Sequence, residues 1–333
     1  MDNLTHSLVG VALSRAFFKQ RVAYATTAAV VAANLADLDA LYSWPGIRYL
    51  QFHRGVLHSI WMVPVWGLLV ALGLRWFATW RGKTPPRLGM GFLLGAAAAL
   101  SHVLLDWCNA YGIRLLAPFS ERWYALDWSP LLDPWVWLLL LAFLGVPLLL
   151  GLITTEVGTP RRSAHRVSGA LALVLLAAWI GLRARQHAAA LDVLNSPAFA
   201  PYFNGQLPYD WAALPNASSP FEWQAVVNLP ANYLVADVYA PLNTDQGQAR
   251  LLRNYLKPPT SPAIERALQT RTGGIFYWYA RFPMADEEQE GENARIILTD
   301  MRYARGVLRP EMHATIEVGS DLRVLSESFS WSR

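Results

Sequence analysis

The stretch GMGFLLGAAAALSHVLLDWCNAY, residues 89–111, decides the fold. It is long and apolar enough to cross a bilayer, which takes about 20 residues, yet it carries His102 and Asp106 near one end. A charged group near the bilayer centre costs at least ~2.5–3.5 kcal/mol on insertion scales, so such a pair points to function. Working outward, similar runs occur near 23–42, 56–78, 134–154 and 167–184, with a shorter one at about 4–18. The short run contains His6 and lacks the cleavage pattern of a signal peptide, so it reads as a membrane helix or half-helix.

Composition agrees. Only 16% of residues are charged, against roughly 25% in soluble domains, and mean hydropathy is +0.22. One Cys excludes a disulfide scaffold, and the apolar excess excludes a disordered chain. The net charge of +4 lies beside apolar runs and not in one patch, so nucleic acid is not the expected partner. Basic residues so placed set topology. Lys19, Arg21, Arg81, Lys83, Arg87, Arg161, Arg162 and Arg166 put their loops in the cytoplasm, although Arg48, Arg54, Arg114 and Arg122 lie in the opposite ones. Loops 43–55 and 112–133 and the C-terminal domain are then outside.

After Leu191 the composition changes, with six prolines from Pro197 to Pro230. The expected architecture is an α-helical integral membrane domain over 1–185 with about five to six membrane helices. A Pro-rich linker over 186–222 then leads to a soluble, strand-rich α+β domain over 223–333. Segments 224–228, 233–239, 275–282, 294–299 and 314–318 are β-branched and aromatic and read as strands. Residues 245–256 and 262–270 read as helices, and 286–292 as an acidic turn.

The polar residues within the apolar runs cluster at their outer ends. They are His6, Asn34, Asp37, Asp39, His58, His102 and Asp106, with His53 and Arg54 just before one run. His102 and Asp106 are four apart and share a helix face. That suits paired metal ligands or a ligand with its orienting carboxylate; it also suits a packing hydrogen bond between helices. Asp37 and Asp39 would diverge by about 200° in a regular helix. Both face one site only where the helix ends; otherwise one ligates while the other acts as base or orienter. Gly55 offers a turn between His53 and His58, and Thr5 is a candidate cap for the helix of His6. Four of seven histidines and three carboxylates on one side favour divalent metal, zinc first and manganese second, with one or two ions. The candidate ligands are His6, Asp37, Asp39, His53, His58, His102 and Asp106. Asp127 is a weaker addition, and Asp133, before Pro134, reads as a helix cap. Arg54 suits either a phosphate oxygen or headgroup anchoring.

At Thr5-His6 with Gly10, Asn34 to Asp39, His53 to Ser59 and His102 to Asp106, the chain resembles the LexA-regulated, membrane-bound metal-dependent hydrolase family (YdjM-like). The runs from Tyr111 to Phe119 and from Leu298 to Tyr303 are also similar, and Ala36 departs from the Pro of the acidic motif. The resemblance implies a metal-dependent hydrolase of the bacterial inner membrane, without a substrate. His-x-x-x-Asp is also similar to an element of zinc-dependent phospholipases C.

Because headgroups lie at the depth of the site, the expected substrate is a phosphate ester of a lipid. Water activated by metal is the expected nucleophile. Asp37 or Asp39 is the expected base and Arg54 the group that steadies developing charge. Alternatives are an ion- or proton-coupled transporter and a metal-binding sensor or assembly protein. His313, Trp211, Trp223, Trp278 and Cys108 read as structural.

Overall fold

The computed structural model describes residues 1–43, 46–154, 162–243, 246–303 and 312–330. Arg161, used above for topology, lies outside them. The chain divides into two compact units, one of 1–39, 54–187 and 215–220, the other of 40–53, 188–214 and 221–333.

In the first unit, α1 (Asn3–Leu13) is capped by Asp2, whose Oδ1 accepts from the Leu4 and Thr5 N–H groups, each at 3.0 Å. Thr5 is therefore not the cap; its hydroxyl donates to Asp2 Oδ2. A π-helical turn, Ser14–Phe18, extends α1. The segment 23–42 is not one helix. It forms α2 (Ala25–Ala32), a turn, and α3 (Leu38–Ser43). The cause lies in Asn34, whose amide donates to Val30 O at 2.8 Å and to Ser7 Oγ at 3.0 Å. Asn competes with the backbone in this way and so favours helix ends. A short α4 (Arg48–Phe52) belongs to the second unit.

A 3-10 turn, Val56–His58, precedes α5 (Met62–Trp80), so His58 stands before the long helix and not within it. Next come α6 (Leu88–Trp107), α7 (Pro134–Thr154) and α8 (Arg162–Leu194). Among the described residues, three helices are long and apolar enough to cross a membrane: Met62–Trp80, Leu88–Trp107 and Ala164–Leu194. Pro134–Val146 is a shorter apolar stretch. The expected count of five to six is not confirmed among the described residues.

Small residues let these helices approach closely, as membrane helices commonly do. A Cβ on Gly95 of α6 would lie 2.8 Å from Val70 Cβ of α5, and one on Gly10 of α1 would lie 2.8 Å from Ala29 O of α2. Gly169 of α8 meets Ala12 O of α1 equally closely. Asp133 caps α7, accepting from Trp135 and Val136 N–H, and its other oxygen accepts from Trp179 Nε1 at 3.0 Å.

The second unit is strand-rich. One sheet has the order β1 (Asp210–Pro215), β2 (Glu222–Asn228), β3 (Asn232–Tyr239) and β4 (Gln248–Leu256). The other has the order β5 (Pro283–Glu290), β6 (Asn293–Asp300), β7 (His313–Val318) and β8 (Val324–Ser330). Between the sheets in sequence lie α9 (Pro262–Leu268) and α10 (Arg271–Tyr279). β1 falls within the segment read as linker.

Three expectations change. Of the run 245–256, Gln248–Leu256 is not helical but a strand that pairs antiparallel with β3, and residue 245 lies outside the described residues. Residues 275–282 are not a strand, because Thr270 accepts from Gly273 N–H and caps α10 over most of that run. The acidic run is mostly β5, whose register with β6 leaves only Gly291 and Glu292 to turn. Trp223 is buried in the core of the first sheet, with Trp211 packed against it.

Candidate metal centre

The break between α2 and α3 points Asp37 inward from a turn, the 3-10 turn adds His58, and the last two turns of α6 add His102 and Asp106. One ligand atom from each of Asp37, His58, His102 and Asp106 lies within 4.8 Å of all the others. Zinc ligands sit about 2 Å from the ion and hence no more than ~4 Å apart, so this set needs only slight closure.

Each imidazole is aimed by a partner behind it. His102 Nδ1 donates to Ala33 O at 2.7 Å, which leaves Nε2 as a lone-pair donor. That Nε2 is 3.5 Å from Asp106 Oδ2 and 3.8 Å from Asp37 Oδ1. Both His102 Nε2 and Asp106 Oδ2 are buried and lack a hydrogen-bond partner among the described residues. Burying polar atoms without partners costs about 1–3 kcal/mol each, and a shared cation offsets that cost. The donor set thus fits a divalent metal.

His58 Nδ1 faces Asp39 Oδ2 at 3.0 Å, while its Nε2 faces Asp37 Oδ1 at 3.3 Å and Asp106 Oδ2 at 3.6 Å. Asp39 Oδ2 also accepts from Arg54 N–H at 3.1 Å. The two carboxylates therefore divide. Asp37 joins the ligand cluster, whereas Asp39 holds His58 from behind.

His6 stacks on His102 with ring centroids 3.8 Å apart, and its Nε2 is 3.3 Å from Asp106 Oδ1. The Met1 ammonium also contacts that oxygen. Arg54 Nη2 is 3.2 Å from Asp106 Oδ1, Nη1 donates to Asn109 Oδ1 at 2.9 Å, and the guanidinium lies over Tyr111 at 4.8 Å. Arg54 adopts a φ of 56°, uncommon outside Gly, Asn and Asp. The backbone is pinned on both sides, by Asp39 at its N–H and by Arg114 N–H at its carbonyl.

His53 belongs to the second unit, where it ends α4 and stacks on Tyr49 at 4.3 Å. Asp127 is a buried residue with a φ of 57°.

Sequence reading missed Asn3 and Asn109. Asn3 Nδ2 donates to Asp37 Oδ2 at 2.7 Å and to Asn34 Oδ1 at 3.2 Å. The signal was present: Asn3 lies one turn from His6 and Ser7. Asn109 Oδ1 accepts from Arg54 Nη1 and from the Tyr111 N–H, and only its place three residues after Asp106 pointed to it.

The family model described as YdjM inner membrane protein matches residues 1–190, which hold every side chain of this cluster. The likeness noted at Leu298–Tyr303 falls beyond that match. The Bacillus subtilis (strain 168) relative described as uncharacterized protein YfhP is 30% identical over 155 residues, 44% of this chain and 46% of the relative. The chain thus spans less than half the length of that curated relative. No solved structure matches.

Proposed function

The chain belongs to the YdjM inner membrane protein family, and from that premise we propose that it is a metal-dependent hydrolase acting on a phosphate ester of a lipid at the outer face of the membrane. The observation that carries this reading is the convergence of His102 Nε2 and Asp106 Oδ2, buried without hydrogen-bond partners, on Asp37 and His58. Asp37, His58, His102 and Asp106 would hold the ion, with His6 beside Asp106; zinc is the first expectation and manganese the second. His53 remains a ligand candidate from its motif.

When bound, the metal supplies a Lewis acid and lowers the pKa of a water. The chain's own groups do the rest. Asp37 is the candidate proton acceptor, because Asp39 is engaged with His58 and the Arg54 backbone. Arg54, held flat by Tyr111 and Asn109, meets a phosphoryl oxygen. Water adds its oxygen to phosphorus, the ester P–O bond breaks, and the alcohol leaves with a proton.

The basic loops read from the sequence support an outer site and an extracytoplasmic C-terminal domain.

A second reading, an ion- or proton-coupled transporter, draws on the broken helix at Asn34–Asp37, since transporters build ion sites on such breaks. Product release from lipid phosphates, with and without chelator, separates the two. Hydrolysis lost on chelation and in Asp37→Asn supports the enzyme. Flux in proteoliposomes without product supports the transporter and rejects the hydrolase.

A further inference from the structure

The four converging residues differ in one respect. His58, His102 and Asp106 are no more than 1% exposed, whereas Asp37 is 18% exposed. The cluster therefore reaches the surface at Asp37. The group at that opening is Asn3, an exposed residue whose amide lies on Asp37 Oδ2. The residues that follow each of the two in sequence are apolar and exposed: Leu4, after Asn3, is 46% exposed, and Leu38, after Asp37, is 43% exposed. Arg54, by contrast, is buried in the inner wall. A polar pair followed on both chain segments by an exposed leucine does not suit a small hydrophilic substrate, which gains nothing from the leucines. It suits a molecule with a polar head and an apolar tail.

Resting on the hydrolase reading, we propose that the centre opens sideways between the first turn of α1 and the α2–α3 turn. Asn3 is its gate and Leu4 and Leu38 are its lips. The substrate is an amphiphile whose head displaces the Asn3 amide from Asp37 while its chains stay against the leucines in the lipid layer.

Two measurements on the full chain in phosphatidylglycerol/phosphatidylethanolamine vesicles test this. In a Cys108→Ser background that retains its metal, nitroxide labels are placed at Leu4→Cys, Leu38→Cys and Asn3→Cys, and collisions with oxygen and with a water-soluble nickel chelate are compared. Oxygen should dominate several-fold at positions 4 and 38, and nickel should gain at position 3. Nickel dominating at positions 4 and 38 would mean an aqueous mouth and overturn the proposal. In the second measurement, Leu38→Glu should raise KM for a long-chain lipid phosphate at least tenfold while leaving a short-chain, water-soluble phosphate ester nearly unchanged. Equal effects on both esters would overturn the lip role. If the wild type hydrolyses neither ester, the hydrolase reading fails, and the label data alone still decide where the mouth faces.

Discussion

Asp37 and Asp39 sit two positions apart, and the turn between α2 and α3 sends them to opposite sides of His58. A carboxylate behind a metal-bound imidazole fixes its tautomer and direction, and losing it typically costs 10–100-fold in metal affinity. Asp39→Ala should therefore weaken metal binding about 10–100-fold, measured by competition with a chromogenic chelator. Unchanged affinity would remove Asp39 as the orienting group. Asp37→Asn should instead abolish turnover while much of the metal remains, since an amide oxygen still ligates weakly but accepts no proton. The His102–Asp106 pair was legible in the sequence because four-residue spacing fixes a shared face in any helix. The division of the two aspartates was not. It depends on where the helix breaks, and that follows from the Asn34 amide meeting Val30 O and Ser7 Oγ across two helices.

Elements set the site's dimensions through close helix contacts. Gly95 leaves no room for a methyl against Val70 and Gly67, so Gly95→Val forces α5 and α6 apart. Overpacking of this kind costs typically 1–3 kcal/mol. The variant should show a lower Tm and a reduced metal content, because α6 carries two of the four ligands. A wild-type metal content together with an unchanged Tm would show that the contact relaxes without cost.

In the strand-rich unit, Glu327 of β8 accepts from Thr272 N–H at 2.9 Å in the first turn of α10. Burial, the largest single effect, works against its charge, but the hydrogen bonds from Thr272 and Thr270 and the charge of Arg266 together outweigh it and hold the carboxyl below its ordinary 4.5. A lowered carboxylate contributes stability above the unfolded value and loses it as pH falls through the folded one. The Tm difference between wild type and Glu327→Gln should thus shrink as pH drops below about 4.5, read by circular dichroism; a constant difference would remove the charge as the cause. That same α10 was misread as a strand from its β-branched and aromatic residues. Its cap at Thr270 and its packing against β6, β7 and β8 decided otherwise. β4 was misread as a helix because an exposed edge strand carries little alternation, and its pairing with β3 is a long-range fact.

For the whole molecule, the division into an apolar helical part and a strand-rich part was plain from composition, since the Leu/Ala runs stop where the prolines begin. The number of crossings was less plain, because a few polar side chains, such as Asn34, break an apolar run into shorter helices. Orientation is open to a direct check. A Gln289→Cys chain, with Cys108 buried, should react with an impermeant thiol reagent on intact spheroplasts. Reaction only after lysis would reverse the proposed topology and move the site to the cytoplasmic side. The central claim is that Asp37, His58, His102 and Asp106 form a metal centre. Elemental analysis of purified wild type and His102→Ala tests it most directly. At least one zinc or manganese per wild-type chain is expected, with a clear loss in the variant; equal metal in both, or none in either after growth with added metal, would contradict a metal centre at these residues.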